Sequence, residues 1–464
     1  MSGVLLSAKL AAARAVATLS RAAGRGGTSL PGKVLIRLEP RAISELSARL
    51  PRGSAVVSAT NGKTTTAAMV ASVLERARIG VVHNRAGANM AGGVASALVA
   101  AVRNHRLDGE LGLFEVDEFW IDRLAPELQP RAMLLGNLFR DQLDRYGELD
   151  QVADRWAETV ASLPQTGLVL NADDPLIADL GRQTERVSYF GVEDTAVAIP
   201  EMQHASDSKH CRRCGAAYAY EAIYMGHLGR YHCRGCGQQR PQPTVAAERI
   251  VLSGTKSSSF LLRTPRGDAE LRLPLPGVYN VYNALGAAAL CLELSIDLGT
   301  VVDGLQSVTA AFGRAETVRI GSVELQVLLV KNPAGANEIL RTLALEPGEL
   351  ELLAVLNDRT ADGRDISWVW DADFEVLAGR VSHVTCSGTR AAELALRLKY
   401  AGVPGGRLQV TPQLGTALDE AVDGAASGRL FVLPTYTALL ELESLLASRG
   451  HVRQFWEPAR SAVR

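Results

Sequence analysis

The sequence predicts an α/β protein made of two successive sheet units. The first is a parallel sheet with a phosphate loop and an inserted four-cysteine zinc ribbon, and the second is a Rossmann-like α/β unit. Three observations carry this. Short apolar runs alternate with helical stretches along most of the chain, Thr60–Thr65 has the make-up of a strand-to-helix phosphate turn, and two C-x-x-C pairs interrupt the alternation once.

The first fifty residues read as a helical segment. Val4 through Leu19 is alanine-rich, is broken by Lys9 and Arg14, and has neither a charged leader nor a cleavage site, so a helix is expected in place of a signal peptide. A membrane-surface role for it is a minor alternative. No apolar run approaches the roughly 20 residues that a membrane span requires. With 464 residues, 21% charged and a formal net charge of −1, the composition is that of a soluble globular protein and lacks the basic excess of a nucleic-acid binder.

From about residue 51 to 313 the runs Ala55–Val57, Val81–Val82, Leu111–Val116, Ala132–Leu135 and Leu168–Leu170 alternate with helical stretches such as Ala91–Val102. Between the first run and the helix-like Thr66–Leu74 lies Thr60-Asn61-Gly62-Lys63-Thr64-Thr65. A turn of this kind aims backbone N–H groups and a helix dipole at one point, which suits a polyphosphate. Lys63 would neutralise the outer phosphates and the Thr64 hydroxyl would complete a magnesium shell. The full pattern wants a glycine where Val57 stands, and the bland reading is an ordinary turn with an exposed lysine. Glu115, just beyond an apolar strand, is placed to reach that magnesium, with Asp117 and Glu118 following it. Asn137 to Gly147, with Asp141 and Asp144, is a second polar cluster after a strand, and Asn171-Ala-Asp173-Asp174-Pro175 is a third. Strands near 249–274 and two helices to about 312 close the unit. Asn280 and Asn283 sit at i and i+3 on one helical face, able to hold a base edge or only to cap the helix.

Cys211-Arg-Arg-Cys214 and Cys233-Arg-Gly-Cys236 are separated by eighteen residues, the spacing of a four-thiolate zinc ribbon. Each pair is followed by a glycine, Gly215 or Gly237, which lets the backbone curl around an ion. Pro200, Pro241 and Pro243 flank the segment, about 202–243, as an inserted module. Four thiolates leave no position for water, so the zinc would be structural. Cys291 and Cys386 read as core residues.

After Phe312-Gly313-Arg314 a second alternating series runs from 314 to 464. Its strands are expected at 323–330, 351–356, 381–386 and 429–433, with helices at 388–401, 414–425 and 436–448.

Together these strings resemble the Mur ligase family, which joins an amine to a carboxylate through an acyl phosphate made from ATP. The match runs through the TNGKTT loop, Glu115, Asn137 with Asp141-Gln-Leu-Asp144, NADDP, the G-x-Y-N-x-x-N helix start and Gly313-Arg314-Ala315-Glu316. The zinc ribbon, Asn332-Pro333-Ala334-Gly335-Ala336-Asn337, the Asp362 to Asp371 run and Leu433 to Ala438 resemble the branch that works beside a GatD-type class I glutaminase subunit. That resemblance implies ATP, Mg2+ and Zn2+, and an amidation of the D-glutamate α-carboxylate of lipid II to D-isoglutamine at the inner face of the cell membrane. It implies that Thr60 to Thr65, Asn280, Asn283 and Lys331 bind the nucleotide, Asn283 through the adenine. It also implies that an aspartate of the Asp362 run, Asp365 first and Asp362 second, orients the glutaminase histidine. The bland reading of that run is a turn of solvated acids.

Two departures from the Mur ligase pattern stand out. No lysine occurs between Lys63 and Lys209, so the carbamylated lysine of the family has no counterpart there. Glu158 lies near its place and is expected to supply part of the missing charge. Only about fifty residues precede the loop, which suits a lipid-linked substrate better than a soluble nucleotide precursor. The alternatives are a folylpolyglutamate-synthase-like ligase acting on a soluble substrate, and a nucleotide-dependent zinc module that binds partners through Arg212, Arg213, Arg230 and Arg234.

Overall fold

The computed structural model describes residues 3–22, 29–84, 88–103, 106–141, 149–203, 206–308 and 314–452. The polar cluster from Gln142 to Gly147, including Asp144, and the Phe312-Gly313 link lie outside them.

A nine-stranded sheet forms the first lobe. Its order is Gly267–Leu273, Ser257–Thr264, Val245–Ser253, Val187–Val192, Gly167–Asn171, Ala132–Leu135, Ser54–Ser58, Leu111–Glu115 and Val81–His83. The first three strands meander antiparallel, and all later neighbours are parallel. The central strands are buried on both faces, which explains their continuous apolar runs in place of alternation. One face is covered by the helices Lys63–Arg76, Val278–Glu293 and Leu298–Gln306, whose Met69, Val70, Leu285 and Val301 share a core with Val57 and Leu134. The other face carries Leu30–Leu38, Ala91–Ala101, Ile121–Leu128 and Leu149–Ser162, packed through Leu35, Leu98, Leu124 and Trp156. The expected amino-terminal helix spans Gly3–Ala22, and its Leu10 and Ala13 join this second core.

The consecutive strands Leu111–Glu115 and Ala132–Leu135 lie on opposite sides of Ser54–Ser58. The crevice beyond the carboxyl end of Ser54–Ser58 is therefore a topological switch point, where open α/β sheets hold ligands.

The second lobe is a six-stranded sheet ordered Arg314–Ile320, Val323–Leu328, Arg429–Pro434, Leu350–Val355, Val381–Ser387 and Leu408–Val410. Only its first pair is antiparallel. Helices Pro333–Ala344, Ala391–Tyr400, Leu414–Asp423 and Tyr436–Ser448 cover it. The helix Pro333–Ala344 is not among those expected from the sequence, although its start signal is plain. Pro333 occupies the first turn, and Asn332 caps the helix by accepting from Gly335 N at 2.8 Å. The cysteine segment folds as a separate hairpin, Tyr218–Met225 against Leu228–Cys233.

Candidate active site

Residues from both lobes line a cleft of about 520 Å³ at the switch point. Its floor is the loop Thr60–Thr65. Gly62 has φ +88°, and a Cβ there would stand 2.0 Å from Asn283 Oδ1, so the loop can approach the Asn283 helix only with glycine at this place. Asn137 splints the loop from the neighbouring strand end. Its Oδ1 accepts from Asn61 N at 2.9 Å, its Nδ2 donates to Asn61 O at 3.0 Å, and its backbone carbonyl accepts from Thr60 N at 2.9 Å. The first turn of Lys63–Arg76 then faces the cleft with its N-terminal N–H groups, the geometry that receives phosphate.

Lys63 is buried, and its Nζ lies 2.5 Å from Glu118 Oε2. Burial works to lower the lysine pKa, but Glu118, Asp117 and Glu115 together outweigh it and raise it, so the ammonium form is retained. Asp117 is pushed up by burial and by the Glu118 charge. Thr64 Oγ1 donates to Glu115 Oε1 at 3.1 Å. Asn84 holds Glu115 in place, accepting from its N–H at 2.9 Å and donating to its carbonyl at 2.7 Å. A hydroxyl and a carboxylate this close, backed by further carboxylates, form the hard-oxygen donor set that magnesium prefers.

The second lobe reaches the same loop. Lys331 Nζ donates to Asp141 Oδ2 at 2.6 Å and to Thr60 O at 3.2 Å, and Asn332 and Asn61 exchange two side-chain hydrogen bonds at 2.9 and 3.3 Å. Across the cleft, Asn283 Nδ2 donates to Asn280 Oδ1 at 3.0 Å, Asn283 Oδ1 accepts from Thr66 Oγ1 at 3.2 Å, and Asn280 Nδ2 donates to Pro276 O at 2.7 Å. The two amides thus share one helical face, as their spacing predicts.

The four ribbon sulfurs all lie within 4.8 Å of one another, with Cys211–Cys236 at 3.5 Å and Cys214–Cys233 at 3.4 Å. Gly215 and Gly237 take φ +76° and +74°, the left-handed turns expected after each pair. A tetrahedral ion with metal–sulfur bonds of about 2.3 Å separates its sulfurs by about 3.8 Å, so the cluster has the size of a four-thiolate metal site. The ribbon is pinned to the first lobe by Arg240, which donates to Asp173 at 2.5 Å and Glu193 at 2.6 Å, and by Arg213, which donates to Asp179 at 2.8 Å. Its hairpin carries Met225 into the cleft wall.

Beside the cleft lies a smaller pocket of about 150 Å³, sharing Asp141, Lys331 and Asp362 with it and bounded by Asp365, Trp368 and Asp371. Here the two candidate aspartates separate. Asp362 is buried and caps the helix Tyr436–Ser448, accepting from Thr437 N at 2.7 Å and Thr437 Oγ1 at 2.5 Å. Asp365 is exposed and accepts a 2.8 Å bond from Ser367 N, which holds its pKa down.

Comparison with known proteins decides the family. The chain is 32% identical over 432 residues to the lipid II isoglutaminyl synthase (glutamine-hydrolyzing) subunit MurT of Streptococcus pneumoniae, covering 93% of this chain and 94% of that protein. This chain belongs to the MurT family of Mur ligases. A Staphylococcus aureus MurT subunit is 35% identical over 385 residues, 83% of this chain and 85% of that one. Residues 57–233 match the model of the Mur ligase middle domain, and residues 329–439 that of the MurT ligase C-terminal region. The fold agrees with that of a pseudomurein peptide ligase type C from Methanothermus fervidus, with a TM-score of 0.66 and 22% identity over 87% of this chain and 80% of that one. Membership in the Mur ligase family implies ATP and magnesium, and the MurT relatives carry the name of a subunit, which implies a partner. No helix among the described residues is long and apolar enough to cross a membrane.

Three features of this MurT-family site escaped the sequence. Glu158, expected to replace the carbamylated lysine, is exposed on Leu149–Ser162 and does not line the cleft. Helical phase explains the difference: Trp156, two positions earlier, faces inward and donates to Glu118 O at 2.8 Å, which turns residue 158 outward. The negative charge next to Lys63 comes from Glu118, whose spacing from Glu115 was visible but whose pairing was not. The buried carboxyl of Glu338, on the unexpected helix, was missed altogether.

Proposed function

We propose that this chain is the ligase subunit of a glutamine-dependent amidotransferase, which converts the D-glutamate α-carboxylate of the lipid II stem peptide to an amide, giving D-isoglutamine. The observation that carries the reading is the MurT-family match along nearly the whole chain, combined with a phosphate loop, an acidic strand end and Lys331 gathered at one cleft.

A carboxylate resists attack by an amine, so it must first be activated. In the proposed reaction a carboxylate oxygen attacks the γ-phosphorus of ATP and ADP leaves. Ammonia then attacks the acyl carbon, phosphate departs with the C–O electron pair, and the nitrogen sheds a proton. Lys63, Lys331 and the first-turn N–H groups of Lys63–Arg76 would hold the phosphates and offset charge as it spreads over the transferring oxygens. Thr64 and Glu115 would hold magnesium, which when bound neutralises phosphate charge. Lys63 keeps its proton because its three acidic neighbours favour the charged form. Asn283 would bind the base side of the nucleotide, with Asn280 supporting the turn through its bonds to Pro276 O and Asn283. Closure of the second lobe brings Lys331 and Asn332 to the loop and excludes water from the acyl phosphate.

Free ammonia is scarce at neutral pH, and a GatD-type class I glutamine amidotransferase partner, forming a heterodimer with this chain, would supply it at the site. Asp365 is the candidate that orients the partner's histidine, since its carboxylate is exposed whereas that of Asp362 is committed to a helix cap. Cys211, Cys214, Cys233 and Cys236 would hold one structural zinc. We divide the chain into a helical segment at 1–50, the ATP-binding unit at 51–313 with its ribbon at 202–243, and a C-terminal unit at 314–464, acting at the inner face of the cell membrane. The test is ammonium-dependent ATP hydrolysis by the purified subunit with and without a lipid II analogue. Hydrolysis that rises only with the analogue and yields an amidated product supports the reading, and turnover on a soluble folate-type acceptor would replace it.

A further inference from the structure

The cleft that Asn280 lines also contains a buried acid to which the reaction above gives no task. Glu338 sits on Pro333–Ala344 and is only 2% exposed, yet it lines the cleft. Its Oε1 accepts no hydrogen bond among the described residues. The nearest cation is Arg341 Nη1 at 4.0 Å, beyond hydrogen-bond range, and that guanidinium is already donating to Tyr224 O at 2.7 Å and to Val197 O. A buried acceptor left unmade is costly, and at a ligand cleft it marks a partner that arrives with the ligand.

The neighbourhood says what sort of partner. The cleft that Glu338 lines also contains Met225, Leu275, Tyr279 and, next to it on the helix, Ile339, apolar and aromatic groups suited to a flat ring. The Glu338 helix also abuts the start of the asparagine helix. A Cβ on Gly277 would stand 3.0 Å from Thr342 Oγ1, and Thr342 is one turn beyond Glu338, to whose carbonyl it donates at 2.7 Å. Asn280 has its Nδ2 engaged by Pro276 O and its Oδ1 by Asn283, so its own capacity for reading a base is largely used. We propose that Glu338 determines nucleobase specificity, accepting a hydrogen bond from the exocyclic amine of a 6-aminopurine. This rests on the reading of the cleft as an ATP site. Hypoxanthine presents a carbonyl oxygen where adenine presents that amine, and an acceptor facing an acceptor is repulsive, so ITP is rejected. A glutamine in place of Glu338 can turn its amide to donate to that carbonyl, which removes the discrimination.

The experiment measures direct binding of ATP and of ITP, each with magnesium, at pH 8, where the Glu338 carboxyl is ionised and can only accept, to the full chain with its partner subunit, comparing wild type with Glu338→Gln. Wild type is expected to favour ATP by at least about ten-fold, and the variant to lose most of that ratio, since a hydrogen bond to a charged acceptor accounts for a change of that order. A role in folding alone would weaken both nucleotides equally and leave the ratio unchanged, which would overturn the proposal. Should the variant fail to fold, Glu338→Asp gives the same reading, because withdrawing the carboxylate by one methylene should reduce the ATP preference, and an unchanged ratio again overturns it. Wild type that binds neither nucleotide would refute the ATP site itself, whereas ATP binding with an unaltered ratio refutes only Glu338.

Discussion

Replacing Glu338 with glutamine should stabilise the nucleotide-free protein at pH 8 far more than at pH 5.5. Burial raises the Glu338 carboxyl from 4.5 to about 7, against the opposing pull of Arg341. Between those values the unfolded chain releases the proton while the folded chain keeps it. Stability therefore falls as pH rises through this window, at up to about 1.4 kcal/mol per pH unit, and the loss levels off above pH 7. The cost is about 1.4 kcal/mol at pH 5.5 and about 3 kcal/mol at pH 8. Glutamine does not titrate. Whatever its amide costs in this pocket is the same at both pH values and cancels in the comparison, so the variant's gain should be larger at pH 8 by about 2 kcal/mol. Urea unfolding of wild type and variant at the two pH values, followed by tryptophan fluorescence, measures the difference. An equal effect at both pH values would show that Glu338 does not retain its proton in the fold. The same substitution is expected to relax nucleotide selectivity, so one residue would trade stability for recognition.

Other outcomes follow from the site. Lys63→Ala and Glu115→Ala should each abolish ATP-dependent amidation with an unchanged circular dichroism spectrum, because each removes on the order of 3 kcal/mol or more of charge stabilisation, and near-normal turnover in either would remove that residue from the mechanism. Metal analysis should find one zinc per chain, and Cys211→Ser should lower melting temperature and solubility more than it changes turnover; a metal-free preparation with the same melting curve would defeat the zinc assignment. Asp365→Asn should leave the complex assembled and amidation from added ammonium intact while glutamine hydrolysis falls sharply, and unchanged glutamine hydrolysis would exclude it. Asp362→Asn should instead lower stability by about 1 kcal/mol through its weakened helix cap, read as a shift in the unfolding midpoint.

Local chemistry was legible wherever a short string contains its own reason. The Cys211–Cys236 spacing brings four sulfurs together because the two turns flank the open end of one hairpin, and Gly215 and Gly237 supply the left-handed backbone those turns need. The Thr60–Thr65 loop, the strand end at Glu115 and the i, i+3 pair Asn280 and Asn283 likewise encode their geometry over a few residues. Glu158 shows the limit of that reasoning. Nearness in sequence to a family position does not set helical phase, and the inward face of Leu149–Ser162 was settled by the burial of Trp156, which donates to Glu118 O.

By itself the sequence determined the α/β class, the phosphate loop, the ribbon and the family, since each rests on spacing within a single element or on a pattern repeated along the chain. Tertiary structure decided which charges meet. Glu118 neutralises Lys63 across 55 positions and Lys331 reaches Asp141 across 190, contacts created by strand order and the packing of the lobes that no local pattern encodes. It also separated Asp365 from Asp362, three residues apart in one loop, by burying one against the helix Tyr436–Ser448 and leaving the other in solvent. The physical reason is common to all three cases: a side chain's charge is local, whereas its burial and its partner depend on what the rest of the fold brings beside it.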